Sequence, residues 1–154
     1  MSELFDIPLT LTHAEQYQSI IDRLNSKKSF IRTVVGVESP GEAEEVSAER
    51  PIAAVLWIDE KNENPTRPLS MSQACQQPEY RDWIIVLVVE QVGDPVKDGI
   101  NAKCEVVSIL QGWTPCRTMS RYVKIRAFYS HAKDTLSVYG VRLRSWGAGS
   151  NGVT

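Results

Sequence analysis

Apolar residues recur along this chain in two different periods, and the places where the period changes mark out its elements. From Thr12 the order Thr12-His13-Ala14-Glu15 reads as a capping box, in which a threonine hydroxyl and a glutamate carboxylate satisfy free backbone N–H groups at a helix start. Ala14, Tyr17, Ile21 and Leu24 then follow at helical spacing and predict a helix over about 13–26 with one buried stripe, Glu15, Gln18, Asp22 and Arg23 facing water. Phe30 to Val37 is rich in β-branched residues and predicts a strand closed by Ser39-Pro40-Gly41. The acidic stretch Glu42 to Arg50 shows little apolar periodicity and reads as a solvated loop or a short helix.

Two segments lack alternation altogether. Ile52 to Ile58 and Trp83 to Val89 are apolar at nearly every position, which predicts central strands covered on both faces. Between them lie roughly two dozen polar residues with Pro65, Pro68 and Pro78, a long loop of the kind that is functional or disordered in a compact domain. A second helix is announced by Asp94 as N-cap and Pro95 at the first helical position, where a missing N–H costs nothing. Val96, Ile100, Cys104, Val107 and Leu110 form its expected buried face, with Gly112 as the left-handed residue after it and Pro115 blocking continuation.

The last elements predicted are strands over about Tyr122 to Phe128 and Leu136 to Leu143, a hairpin with its turn on His131-Ala132-Lys133-Asp134. Leu136 and Val138 share one face while Val141 and Leu143 fall out of phase with them, which suggests a bulge near Gly140. The glycine-rich end, 147–154, is expected to be a flexible tail. No internal repeat is found. The fold class expected is α+β in a single domain, 1–154: a mixed, mostly antiparallel sheet packed with two main helices and closing with a C-terminal hairpin.

Composition adds little that would name a partner. With 154 residues, 42% of them hydrophobic, and a net charge of -2, the chain can build a core without disulfides or metals. The longest apolar run has seven residues against the ~20 that a bilayer requires, so no membrane contact is expected. The acidic start Met1-Ser2-Glu3-Leu4-Phe5-Asp6 does not read as a signal peptide. Cys75, Cys104 and Cys116 are widely spaced and suit a reducing compartment, Cys104 as a small core residue.

The search for chemistry is mostly negative. Most carboxylates fall in the solvated-looking stretch Glu38 to Glu63, a poor place for an acid/base pair. Cys116 could act as a nucleophile only if the fold brought His131 to it. Gly147-x-Gly149 leads into no helix and so makes no phosphate loop, and no metal-ligand spacing occurs. Trp57, Trp83, Trp113 and Trp146 read as core and interface anchors, with Trp113 placed to pin the helix exit to the hairpin.

One charge pattern stands out. Arg117, Arg121, Lys124, Arg126, Lys133, Arg142 and Arg144 face a single acid, Asp134, in the last part of the chain, while the segment from Glu38 to Glu63 is strongly acidic. Glu44, Glu45 and Glu49 of one copy could meet Arg121, Lys124 and Arg126 of the next and generate a ring. Alternatively Arg121, Lys124, Arg126 and Arg142, with Tyr122, Phe128 and Tyr129 interleaved, could bind nucleic-acid phosphates and stack bases. The plain alternative is two ordinary solvated faces.

The order of landmarks supplies a further expectation. Pro51-Ile52-Ala53-Ala54-Val55-Leu56, a polar loop, Trp83 to Val89, then a helix ending Ile109-Leu110-Gln111-Gly112-Trp113-Thr114-Pro115 and a closing hairpin resemble the tail-terminator-like minor tail proteins of tailed bacteriophages, over roughly residues 12 to 146. The resemblance implies a hexameric ring that caps the tail tube, stops its polymerisation and offers a surface to head-completion proteins. It implies tail-tube and neck proteins as partners, DNA passing through the ring without sequence-specific binding, no catalysis and no cofactor. Its place would be the tail of the virion, assembled in the host cytoplasm. A nucleic-acid-binding module, another phage neck or head-completion protein, and a small cysteine-dependent enzyme are the competing readings.

Overall fold

Segments that are apolar on both faces must lie inside a sheet, and the chain has built its sheet around them. The computed structural model describes residues 7–58 and 80–147. In chain order the elements are α1 (His13–Lys27), β1 (Thr33–Val37), α2 (Pro40–Glu44), β2 (Ile52–Ile58), β3 (Tyr80–Glu90), α3 (Pro95–Leu110), β4 (Val123–Lys133) and β5 (Leu136–Trp146). The strands form one sheet in the order β1-β2-β3-β5-β4, parallel between β1 and β2 and antiparallel elsewhere. This is the expected α+β arrangement. The Pro-rich loop with Pro65, Pro68 and Pro78, and the glycine-rich tail beyond Gly147, lie outside the described residues.

Because side chains alternate across a strand, each central strand feeds two cores. Ala53 and Val55 of β2, Trp83, Ile85, Leu87 and Val89 of β3, and Val141 and Leu143 of β5 pack under α1 and α3. Ile52, Ala54, Leu56, Val86, Val88, Leu136 and Val138 point the other way and are covered by Ala43 of α2 and by Val46 and Ala48 after it. The phase change along β5 is therefore a change of which face is apolar. The pairing of β3 with β5 runs without a break from Tyr80–Trp146 to Glu90–Leu136, so β5 itself carries no bulge at Gly140. The register slips belong to β4, between Lys124 and Arg126 and between Tyr129 and His131.

The hairpin also runs further than its pattern suggested. His131, Ala132 and Lys133 are strand residues, and the reversal falls on Asp134, whose φ of 54° is left-handed, and Thr135. Ser39-Pro40-Gly41 closes β1 by starting α2, with Pro40 in the first turn. At the start of α1 the capping box is formed, Thr12 Oγ1 accepting from Glu15 N and Glu15 Oε1 from Thr12 N. Asp94 caps α3 as its position suggested, accepting from Lys97 N.

Both helices are rolled away from the faces their apolar residues predicted. In α1 the fully buried residues are Gln16, Ile20 and Leu24, while Tyr17 and Ile21 are half-buried and Ala14 is exposed. Gln16 can be buried because its amide bonds to Tyr122, Ser145 and Arg81. In α3 the sheet-facing residues are Gly99, Ala102, Val106, Ile109 and Leu110, and Cys104 is exposed. Gly99 is required for this approach, since a Cβ there would stand 2.2 Å from Tyr139 Cε1. Small residues carry no hydrophobic signal, so the stripe of Val96, Ile100 and Cys104 read as the inner face is the outer one.

Candidate functional site

The roll of α3 leaves an apolar surface with no cover. Val96 and Ile100 retain 63% and 53% of their accessible surface, and Tyr129 on the facing strand β4 retains 59%. With Pro95, Gly99, Ala127 and Tyr139 they line a cleft of about 530 Å³ between α3 and the hairpin. Tyr129 is fixed edge-on against Tyr139, ring centroids 5.3 Å apart, and Tyr139 donates its hydroxyl proton to the Pro95 carbonyl at 3.1 Å. Tyr139 is thus anchored to α3, and Tyr129 leans on it.

β4 is the last strand of the sheet, so one row of its backbone N–H and C=O groups faces outward. Val123 and Ile125 are exposed apolar residues on that strand. Arg121, Lys124 and Arg126 are exposed beside them. Register places Lys124 opposite Leu143, on the α1 and α3 face, and Arg126 opposite Arg142, on the other face. Arg126 lies over the Phe128 ring, 5.1 Å from its centroid.

Arg142 and Arg144, by contrast, are engaged within the chain. Asp82, 2% exposed, accepts from Arg142 Nε and Arg144 Nε at 2.7 Å each, and from the Nη2 atoms of both. Burial pushes the Asp82 carboxyl up, but the hydrogen bonds and charges of Arg144 and Arg142 outweigh it and hold it below its ordinary range. Arg144 also covers the Tyr80 ring at 4.0 Å. Sequence reasoning missed Asp82, although Arg81-Asp82 just before an apolar run, facing Arg142-x-Arg144, was the available signal.

The acidic side divides in the same manner. Glu44 is drawn inward, its side chain 6% exposed, against His131 Nε2 and Lys133 Nζ on the hairpin, the latter at 3.5 Å. Glu38, Glu42, Glu45 and Glu49 stay exposed. Glu44 thus ties α2 to the hairpin tip of its own chain, and the outward charge of this connection comes from the other four.

At the opposite end of β5 the polar groups close on one another. Gln16 Nε2 donates to Tyr122 Oη at 2.5 Å and to Ser145 Oγ at 3.1 Å, and Arg81 Nη1 donates to Gln16 Oε1 at 2.8 Å. Burial pushes the Tyr122 hydroxyl pKa far up, against the lowering effect of its Gln16 hydrogen bond, so it stays protonated. Trp113 packs on Tyr122 at 5.6 Å and carries Arg23 above its ring at 4.7 Å, which pins the exit of α3 to both the hairpin and α1.

Cys116 and His131 are not brought together. Cys116 is buried with its Sγ 3.6 Å from Thr118 Oγ1, close to where Met119 bridges Gly147, whereas His131 pairs with Val138 and touches Glu44. From Val138 to Gly147 the strand rise amounts to roughly 30 Å. Among the described residues no three of His, Cys, Asp and Glu are grouped to hold a metal, and no helix is long and apolar enough to cross a membrane. A comparison with models of known protein families finds no match, and neither does a comparison with curated protein sequences.

Proposed function

We propose that this chain is a structural assembly subunit of the tail-terminator kind: a ring that caps a phage tail tube, stops its growth and presents a surface for joining to the head. The observation that carries the proposal is the uncovered apolar stripe of α3 beside the open edge of β4. Val96, Ile100 and Tyr129 form a contiguous apolar surface flanked by charge, the composition of a protein-binding patch more than of a solvated face. A subunit whose work is to be covered by other subunits needs such a surface on a rigid base, and α3 supplies the base through its close approach at Gly99.

The order of landmarks noted in the sequence supports the same reading. A two-sided apolar sheet, a helix that exits through Gly112-Trp113, and a long closing hairpin fit a scaffold that projects contacts outward. DNA would pass through the ring without a sequence-specific site, and tail-tube and neck proteins would be the partners. The experiment is native mass measurement together with negative-stain microscopy of the protein mixed with tail tubes of its own phage. Six-fold rings at tube ends support the proposal, and a chain that stays monomeric at high concentration and leaves tube length unregulated overturns it.

A further inference from the structure

We infer that the open β4 edge of one copy, with the cleft beside it, seats the acidic connection Glu38 to Glu49 of the next copy in a head-to-tail contact. This rests on the ring-forming reading above and names the two surfaces that would make the ring. Arg121, Lys124 and Arg126 bring exposed positive charge to both faces of the edge strand. Arg126 stands directly across from Arg142, and like charges opposed in a sheet are destabilising. Asp82 compensates Arg142 and Arg144 from the neighbouring strand, whereas Arg126 lies on Phe128.

The complementary surface is on the same chain. Glu38, Glu42, Glu45 and Glu49 point outward from the connection that carries α2, while Glu44 alone turns inward and grips His131 and Lys133 of the hairpin. The intramolecular contact shows that this connection and this strand match chemically, and it leaves four acids and three bases facing out. Two different surfaces that attract each other between copies make a heterologous interface, which repeats and closes into a ring when the rotation allows. The uncovered Val96, Ile100 and Tyr129 give the contact an apolar centre within its charged rim. A nucleic acid would take up the basic edge but would use neither the apolar stripe nor the acidic connection, so a second copy is the occupant that accounts for all three.

The experiment uses two variants of the full chain. One carries Lys124→Glu and Arg126→Glu, the other Glu45→Lys and Glu49→Lys, and all four positions are exposed. Circular dichroism and melting first establish that each is folded. Each variant alone should associate roughly a hundredfold more weakly than the native chain, because the reversed surface meets its like. An equimolar mixture should recover rings, since the reversed edge then meets the reversed connection and the native edge the native one. Native rings indifferent to both reversals would overturn this pairing and leave the ring reading standing. Folded single variants whose mixture fails to recover would overturn it too, as would low-salt DNA binding that the edge reversal abolishes without touching ring formation. A native chain that forms no ring, alone or on tubes, would overturn both readings.

Discussion

The two ends of β5 solve the same problem in opposite ways. Near Ser145 polar groups are answered from within the chain: Gln16, Tyr122, Ser145 and Arg81 bond one another, and Asp82 holds Arg142 and Arg144. Near Tyr139 the fold stops short, with an apolar stripe on α3, a cleft of about 530 Å³ and an edge strand with its backbone groups turned outward. Both regions pack a helix against β5 and carry paired aromatic rings. What differs is where the partners lie: one region is completed by the chain's own groups, and the other carries the surface proposed for association.

That contrast can be broken from the finished side first. Replacing Asp82 by Ala would leave two arginines on neighbouring positions of one face with their shared carboxylate gone, and should cost about 2–3 kcal/mol of folding free energy in chemical denaturation, since both guanidinium groups can turn partly to water. Gln16→Leu keeps the volume but strips Tyr122, Ser145 and Arg81 of a buried partner, an expected loss of about 1–3 kcal/mol by the same measurement.

A smaller effect is expected at Glu105, whose carboxylate accepts from the Ser29, Phe30 and Ile31 N–H groups and from Ser29 Oγ, and so fixes the link between α1 and β1. Glu105→Gln should cost about 1–2 kcal/mol at neutral pH. Burial raises the Glu105 carboxyl, but those hydrogen bonds prevail and hold it below its ordinary range, as the arginines do for Asp82. Unfolded, such groups titrate near about 4. Their contribution is therefore whole above about pH 5 and is lost as pH falls through the lowered folded values. Denaturation followed between pH 6 and 2 should show a shallower acid limb in both variants than in the native chain. On the open side, Ile100→Ser should change folding by no more than about 0.5 kcal/mol, since the side chain already faces water, while weakening association.

How much of this was legible in the sequence depends on what signalled each feature. Long apolar runs announced β2 and β3, and Thr12, Asp94 and Gly112 fixed helix ends, because local chemistry decides those positions. Both helix faces came out rolled for one reason: a buried Gln16 and a sheet-facing Gly99 depend on Tyr122, Arg81 and Tyr139, all distant in sequence. The phase change along β5 is legible in the sequence, but its cause is not, since two apolar faces mimic a bulge. The ionic sites were half legible. Basic hairpin and acidic connection were visible as composition, but that Glu44 turns inward to His131 and Lys133, and that Asp82 claims Arg142 and Arg144, follows only from tertiary pairing.

The chain carries its own reporter of the central claim. Cys104 continues the outward stripe one turn beyond Ile100, and it is exposed. Alkylation of Cys104, resolved by peptide mass spectrometry in dilute and in assembled protein, asks whether that stripe is covered when copies associate. The account predicts labelling at least about tenfold slower in the ring than in the monomer; an equal rate in rings verified by mass would contradict it.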